Sequence, residues 1–183
     1  MKNFKPRIKA RLRKNRQVLN KNIDIFFGWV KGAKLVELKE CNTEEDPVRP
    51  ELDNQFRTGY GRKIYGVAYQ GEIHAVMCFA YTNKIPKSVD ELEKLSTDAF
   101  LQSAMRDQSG GQIAIAYTVW SKKKGGGKLI VKEVFKKIKK SNHLNRLITL
   151  SPLTEMATKF HSNNGAKLIQ INETTQNFEY KVM

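Results

Sequence analysis

Gln112 to Trp120 is apolar on both sides: Ile113, Ile115, Tyr117 and Val119 alternate with Ala114, Ala116, Thr118 and Trp120. A strand with no polar face must be covered on both faces, which places it inside a sheet rather than at an edge. It runs into Lys122-Lys123-Lys124-Gly125-Gly126-Gly127-Lys128, and a helix is expected over 127–140. Ile130, Val131, Val134, Phe135 and Ile138 form one face of that helix and lysines cover the other. Strand, glycine loop and helix in this order point to an α/β architecture.

The flanking sequence supplies the rest of the sheet. Lys34 to Glu40 reads as a strand, Cys41 to Pro47 as an acidic turn, and Pro50 to Arg57 as a helix ending near Gly59 and Gly61. Ile64–Tyr69 and Ile73–Tyr81 form a hairpin through Gln70-Gly71-Glu72. Ser88 and Glu91 have capping-box spacing and open a helix to Ala104, followed by a loop over Asp107 to Gly111. Leu147–Leu150 is a buried strand closed by Ser151-Pro152, and Thr154 to Asn163 a helix with Gly165 as its C-cap. Lys167–Ile171 and Asn177–Val182 make a last hairpin. The order β-α-β-β-α-β-α-β-α-β-β is that of one α/β domain with a mixed sheet.

Charge is unevenly distributed. The chain carries 33 Lys+Arg against 18 Asp+Glu, a net +15, and residues 1–34 hold eleven of the basic residues with a single acid, Asp24. We therefore divide the chain into a basic arm, 1–33, and an α/β domain, 34–183. The excess implies anionic partners, and the arm suits nucleic acid, a ribosome or an acidic protein. Cys41 and Cys78 make no disulfide framework and have no metal-ligand spacing, so no metal is expected. No apolar run reaches membrane-span length and no signal-peptide pattern opens the chain, so a cytoplasmic protein is expected.

Three features bear on chemistry. Three glycines between a strand and a helix leave backbone N–H groups free to meet an anion, and Lys122, Lys123, Lys124 and Lys128 add full charges. No Gly-Lys-Ser/Thr follows at the spacing of a nucleotide-binding P-loop. Ser151 stands at the C-terminal end of a buried strand, where α/β proteins place ligands, although alone it would be a turn former. His161 lies ten residues on, on a short helix, and alone would be structural.

Taken together, these features resemble a known superfamily. Lys122-x-x-Gly125-x-Gly127 followed by Leu129-Ile130 resembles the acyl-CoA pyrophosphate loop of the GNAT acetyltransferases, with lysine where arginine or glutamine is usual. Ala157-x-x-Phe160-His161-x-x-x-Gly165-Ala166 is similar to their last block. Within that fold, Thr149-Leu150-Ser151-Pro152 and Phe160-His161-x-x-Asn164-Gly165-Ala166-x-Leu168-x-x-Ile171-Asn172 resemble the catalytic domain of malonyl-CoA decarboxylase. Ala114-Ile115-Ala116-Tyr117-Thr118 and Arg62-Lys63-Ile64-Tyr65 match its neighbouring strands, so the similarity spans roughly residues 47–182. Leu153-Thr154-Glu155-Met156 departs from the family's Ile-Pro-Gly-Phe, and its long insertion between serine and histidine is missing.

The resemblance implies a single GNAT-like domain with a mixed, mostly antiparallel central sheet flanked by helices. It implies a catalytic pair, Ser151 and His161, and a coenzyme A thioester (malonyl-CoA or acetyl-CoA) as substrate. Contacts to CoA are implied at Thr118, Val119, Trp120, Lys122, Lys124, Gly125, Gly126, Gly127, Lys128 and Asn164. The leading expectation is decarboxylation of malonyl-CoA to acetyl-CoA. The alternative is a GNAT-type N-acetyltransferase acting on an amine of a protein, RNA or small molecule. A non-catalytic nucleic-acid-binding protein is the third reading.

Overall fold

In the computed structural model, which describes residues 28, 29, 31–105 and 110–180, β4 (Ile113–Ser121) lies near the middle of an eight-stranded sheet. The chain divides into two compact units, Met1–Lys34 and Leu35–Met183. The basic arm expected over 1–33, and the acidic partner proposed for it, fall almost wholly outside the described residues.

The strands are β1 (Lys34–Leu38), β2 (Lys63–Tyr69), β3 (Glu72–Thr82), β4, β5 (Arg146–Thr149), β6 (Ser151–Pro152), β7 (Ala166–Ile171) and β8 (Thr175–Tyr180). Their order is β1-β2-β3-β4-β5-β8-β6, with β7 paired to β8. β4 and β5 are parallel, whereas β2–β3, β3–β4, β5–β8, β6–β8 and β7–β8 are antiparallel. The helices are α1 (Asn54–Thr58), α2 (Val89–Met105), α3 (Gly126–Lys139) and α4 (Glu155–Asn163). This is the expected mixed, mostly antiparallel sheet with helical cover.

Local chemistry explains the elements and corrects several boundaries. The β2–β3 hairpin turns on Gln70 (φ 52°) and Gly71 (φ 83°), a two-residue loop with both residues left-handed that matches the twist of the strands. The helix expected from Pro50 begins only at Asn54, because Asp53 accepts from the Phe56 amide at 2.7 Å and caps it there. Ser88 caps the Glu91 amide at 3.1 Å, but the Glu91 carboxylate reaches back to the Lys87 amide at 2.7 Å, one residue beyond the usual box. Asn164, rather than Gly165, is the α4 C-cap, and Gly165 (φ 84°) follows it in the left-handed position. The two-residue strand β6 was not anticipated.

Val76, Cys78 and Ala80 of β3 share one core cluster with Leu92 of α2, Ile64, Ile148 and Leu150. Alternation puts Ala75, Met77 and Phe79 on the opposite face, against which α3 packs with Ile130, Val131, Val134 and Ile138 buried. β4 departs from the simple alternation expected of it. Cys78 pairs with Thr118 but Phe79 pairs with Ala116, so Tyr117 is the extra residue of a bulge. Beyond it the faces exchange: Trp120, not Val119, joins Ile113, Ile115 and Tyr117 in the cluster.

Candidate active site

The site is built where β4 and β5 part. Their pairing ends at Ala116 and Thr149, and the last link is the Leu150 amide donating to the Ala116 carbonyl at 2.9 Å. From there the chain turns into β6, where Ser151 pairs with Gln176 of β8. The Gln176 amide donates to Pro152 O at 2.9 Å, Thr154 O at 3.3 Å and Thr158 Oγ1 at 2.9 Å. That side chain ties the serine turn to the first turn of α4, and so sets where His161 stands relative to Ser151.

Ser151 Oγ and His161 Nε2 are 2.7 Å apart, and both residues are buried. Thr149 Oγ1 lies 3.0 Å from Ser151 Oγ and also accepts from the Phe178 amide at 3.1 Å. On the other side of the ring, His161 Nδ1 is 2.8 Å from the Tyr180 hydroxyl. The imidazole stacks on Phe178 at 5.1 Å and meets the edge of Phe160 at 5.1 Å. Burial lowers the His161 pKa from 6.5 to about 4, so the ring is neutral at pH 7 and carries one N–H. Burial also pushes the Tyr180 phenol up, so Tyr180 keeps its proton. Two proton arrangements satisfy the chain. Either Tyr180 donates to Nδ1, Nε2–H donates to Ser151 and Ser151 to Thr149, or every donor reverses. A proton can therefore pass between Ser151 and the ring without any group becoming charged at rest.

These side chains open on a cavity of about 240 Å³. Ala116, Thr118, Val119, Trp120, Thr149, Ser151, His161 and Tyr180 line it, together with Pro47, Val48, Met77, Leu147, Gly127 and Phe160. No Asp, Glu, Lys or Arg is among the described lining residues. At its α3 end, Gly125 (φ 85°) opens the helix without a side-chain cap. The Gly127 and Lys128 amides fall in the first turn, where helix geometry offers no acceptor, and the helix end carries partial positive charge. A Cβ on Gly127 would stand 2.9 Å from the Phe160 ring and one on Gly126 2.9 Å from Ser121 Cβ, so glycine lets this helix end approach the site.

The residues singled out in the sequence divide accordingly. Ser151, His161, Thr118, Val119, Trp120 and Gly127 meet at the cavity. Gly125, Gly126 and Lys128 belong to the adjacent helix start, and Lys124 is exposed beside it. Lys122 Nζ pairs with Glu45 at 2.7 Å. The Asn164 amide donates to Phe160 O at 2.7 Å, which closes the end of α4.

Sequence reasoning missed Tyr180 and Thr149, which reach the pair through strand pairing, and a second buried network beside the cavity. There the fully buried Asp46 accepts from Thr118 Oγ1 at 2.8 Å and 2.9 Å, from Arg57 Nη2 at 2.9 Å, and from the Val48 and Arg49 amides at 2.9 Å and 3.2 Å. Arg49 Nη1 donates to the Tyr117 carbonyl at the bulge. Arg57 also donates to Leu52 O at 2.7 Å and Arg49 O at 2.7 Å, and its guanidinium stacks over Trp120 at 5.5 Å. The only signal in the sequence was an acid before proline, which is common in turns. Among the described residues no cluster of His, Cys, Asp or Glu could hold a metal ion, and no helix is long and apolar enough to cross a membrane.

Neither a protein-family model nor a curated protein sequence matches the chain. Solved structures do. A malonyl-CoA decarboxylase from Agrobacterium vitis superposes with a TM-score of 0.66 at 12% identity, over 87% of this chain and 63% of that one. The chain thus spans less than two thirds of that decarboxylase's length. The GphF GNAT-like decarboxylase in complex with isobutyryl-CoA gives 0.62 at 9% identity, over 80% of this chain and 98% of that one. A Bacillus subtilis acetyltransferase in complex with CoA gives 0.55 at 13% identity, over 82% and 99%. The chain has the GNAT fold, with similarity to malonyl-CoA decarboxylase structures.

Proposed function

We propose that this protein is an acyl-CoA enzyme that decarboxylates malonyl-CoA or a related malonyl thioester, with Ser151 and His161 as its working pair. The observation that carries this reading is the 2.7 Å contact between Ser151 Oγ and His161 Nε2 in a cavity whose described lining bears no Asp, Glu, Lys or Arg. The CoA-bound neighbours support delivery of the substrate as a CoA thioester. Its phosphates would lie at the α3 N-terminus, near Lys124 and Lys128, and its thioester would run along β4 toward Ser151.

The chemistry follows from that environment. A malonyl carboxylate entering an uncharged, largely apolar cavity gives up solvation, which favours loss of neutral CO2. The Cα–carboxylate bond breaks, and its electron pair moves into an enolate whose charge rests on the thioester oxygen. Ser151 O–H is placed to hydrogen-bond that oxygen. Cα then takes the Ser151 proton, the Nε2 proton replaces it as Nδ1 takes that of Tyr180, so the ring stays neutral, and one proton from water restores Tyr180 in each turnover. Tyr180 holds the ring orientation and the thioester is the electron sink.

N-acetyl transfer is the second reading. It needs an amine acceptor, usually a cation in solution, and no carboxylate among the described lining residues would attract one. Nucleic-acid binding without catalysis rests on the basic arm, which falls almost wholly outside the described residues.

Incubation with malonyl-CoA, followed by mass spectrometry, should reveal acetyl-CoA and CO2. Ser151→Ala and His161→Ala should each lower kcat by roughly 10²- to 10⁴-fold. Full activity in both variants removes the pair. Acetyl-CoA turnover only with an added amine, and none of malonyl-CoA alone, replaces the decarboxylase by the transferase.

A further inference from the structure

β4 orders the site along its length. At Ala116 it still pairs with Thr149, next to Ser151 and His161; at Ser121 it abuts Gly126 at the start of α3. Between Thr118 and Ser121 lies about 10 Å of strand at the usual rise. A thioester whose phosphates meet α3 therefore places its acyl group at the Ala116–Thr118 end, where β4 and β5 diverge. The turn from Asp46 to Arg49 is fastened to that same end. Asp46 holds Thr118 Oγ1 and Arg49 holds the Tyr117 carbonyl, while Pro47 and Val48, between the two anchors, line the cavity.

We propose that this turn is the acyl-selecting wall of the site, with Val48 setting the width available to the acyl group and Asp46 holding Val48 in place; the proposal rests on the reading that the cavity takes acyl-CoA. The geometry gives Asp46 a positioning role and no contact with the reacting atoms. Its carboxylate is wholly taken up by Thr118, Arg57 and the amides of its own turn. Val48 is a half-buried apolar side chain in the cavity wall, and its loss or enlargement changes the space beside the acyl group. Val48 meets the cavity itself, whereas the neighbouring Glu45 reaches the glycine loop through Lys122. Selection should therefore depend on acyl bulk and leave the affinity for free CoA unmoved.

Calorimetric titration with CoA, acetyl-CoA and isobutyryl-CoA tests this without requiring turnover. Val48→Ala should favour isobutyryl-CoA over acetyl-CoA by about tenfold relative to wild type, and Val48→Phe should oppose it by a similar factor, a branch methyl being worth that much in a fitted pocket. Affinity for CoA itself should stay the same in both. Asp46→Asn should bring the acetyl-to-isobutyryl ratio toward one, and if that variant does not fold, the Val48 pair decides. An unchanged ratio in both Val48 variants, with wild type binding all three ligands, overturns the wall and leaves the acyl-CoA reading standing. An unchanged ratio in folded Asp46→Asn overturns the positioning role. A wild-type protein that binds none of the three ligands overturns both the wall and the reading beneath it.

Discussion

Two buried polar networks border the same cavity and differ in one property. The network on the turn side contains a full ion pair, Asp46 with Arg57, both side chains 0% exposed. The network on the α4 side is uncharged: Thr149, Ser151, a neutral His161 and a protonated Tyr180. The charged network has every group committed to a fixed partner, so it can hold a shape but has little freedom to exchange a proton. The neutral network has a hydroxyl and a ring nitrogen that can swap donor and acceptor roles, so it can take part in chemistry. On the proposed reading, one network holds position and the other takes part in the reaction.

That contrast can be broken at its strongest point first. Arg57→Ala leaves the Asp46 carboxylate buried without its counter-ion and should cost about 3–5 kcal/mol in chemical denaturation. A loss below about 1 kcal/mol would mean that the ion pair does not hold the turn. The neutral wall should show itself through pH. The His161 pKa is about 4 in the folded chain against 6.5 unfolded, so the unfolded chain binds the extra proton between those values. Stability is then fully present above pH 6.5, falls as pH drops to about 4, and is flat below, a change of about 3 kcal/mol. His161→Gln should remove that slope, and a native resonance titrating near 6.5 that disappears in His161→Gln would contradict the neutral ring.

Smaller effects sharpen the picture. Gly127→Ala places a methyl 2.9 Å from the Phe160 ring and should destabilise by about 1–3 kcal/mol while weakening CoA binding, read by calorimetry. Tyr180→Phe removes only the hydroxyl at Nδ1 and should cost about 1 kcal/mol of stability, with a larger effect on kcat than on KM. Equal loss in both constants would make Tyr180 a packing residue.

Legibility in the sequence followed the range of the interaction. β4, the glycine loop and α3 were readable because an apolar run, three glycines and a helical stripe are local patterns. Ser151 and His161 were readable as a pair only through resemblance, since neither residue marks itself. Val119 was assigned to the wrong face because the bulge at Tyr117 is set by the pairing of β4 with β3. Asp46 and Arg57 were invisible as a network because Thr118, the partner of Asp46, lies far along the chain from both, and Tyr180 was invisible because it reaches His161 only through its place in β8.

The sequence by itself determined the class of the fold, the central strand, the glycine loop and the two residues on which the chemistry is proposed to turn. The first three are consequences of local periodicity and of backbone freedom at glycine; the pair came only through resemblance. Only the tertiary structure decided that His161 is neutral, that Ser151 lies against it, and that an ion-paired turn borders the same cavity. Burial and hydrogen-bond distance are properties of residues brought together from distant parts of the chain, and no local pattern encodes them.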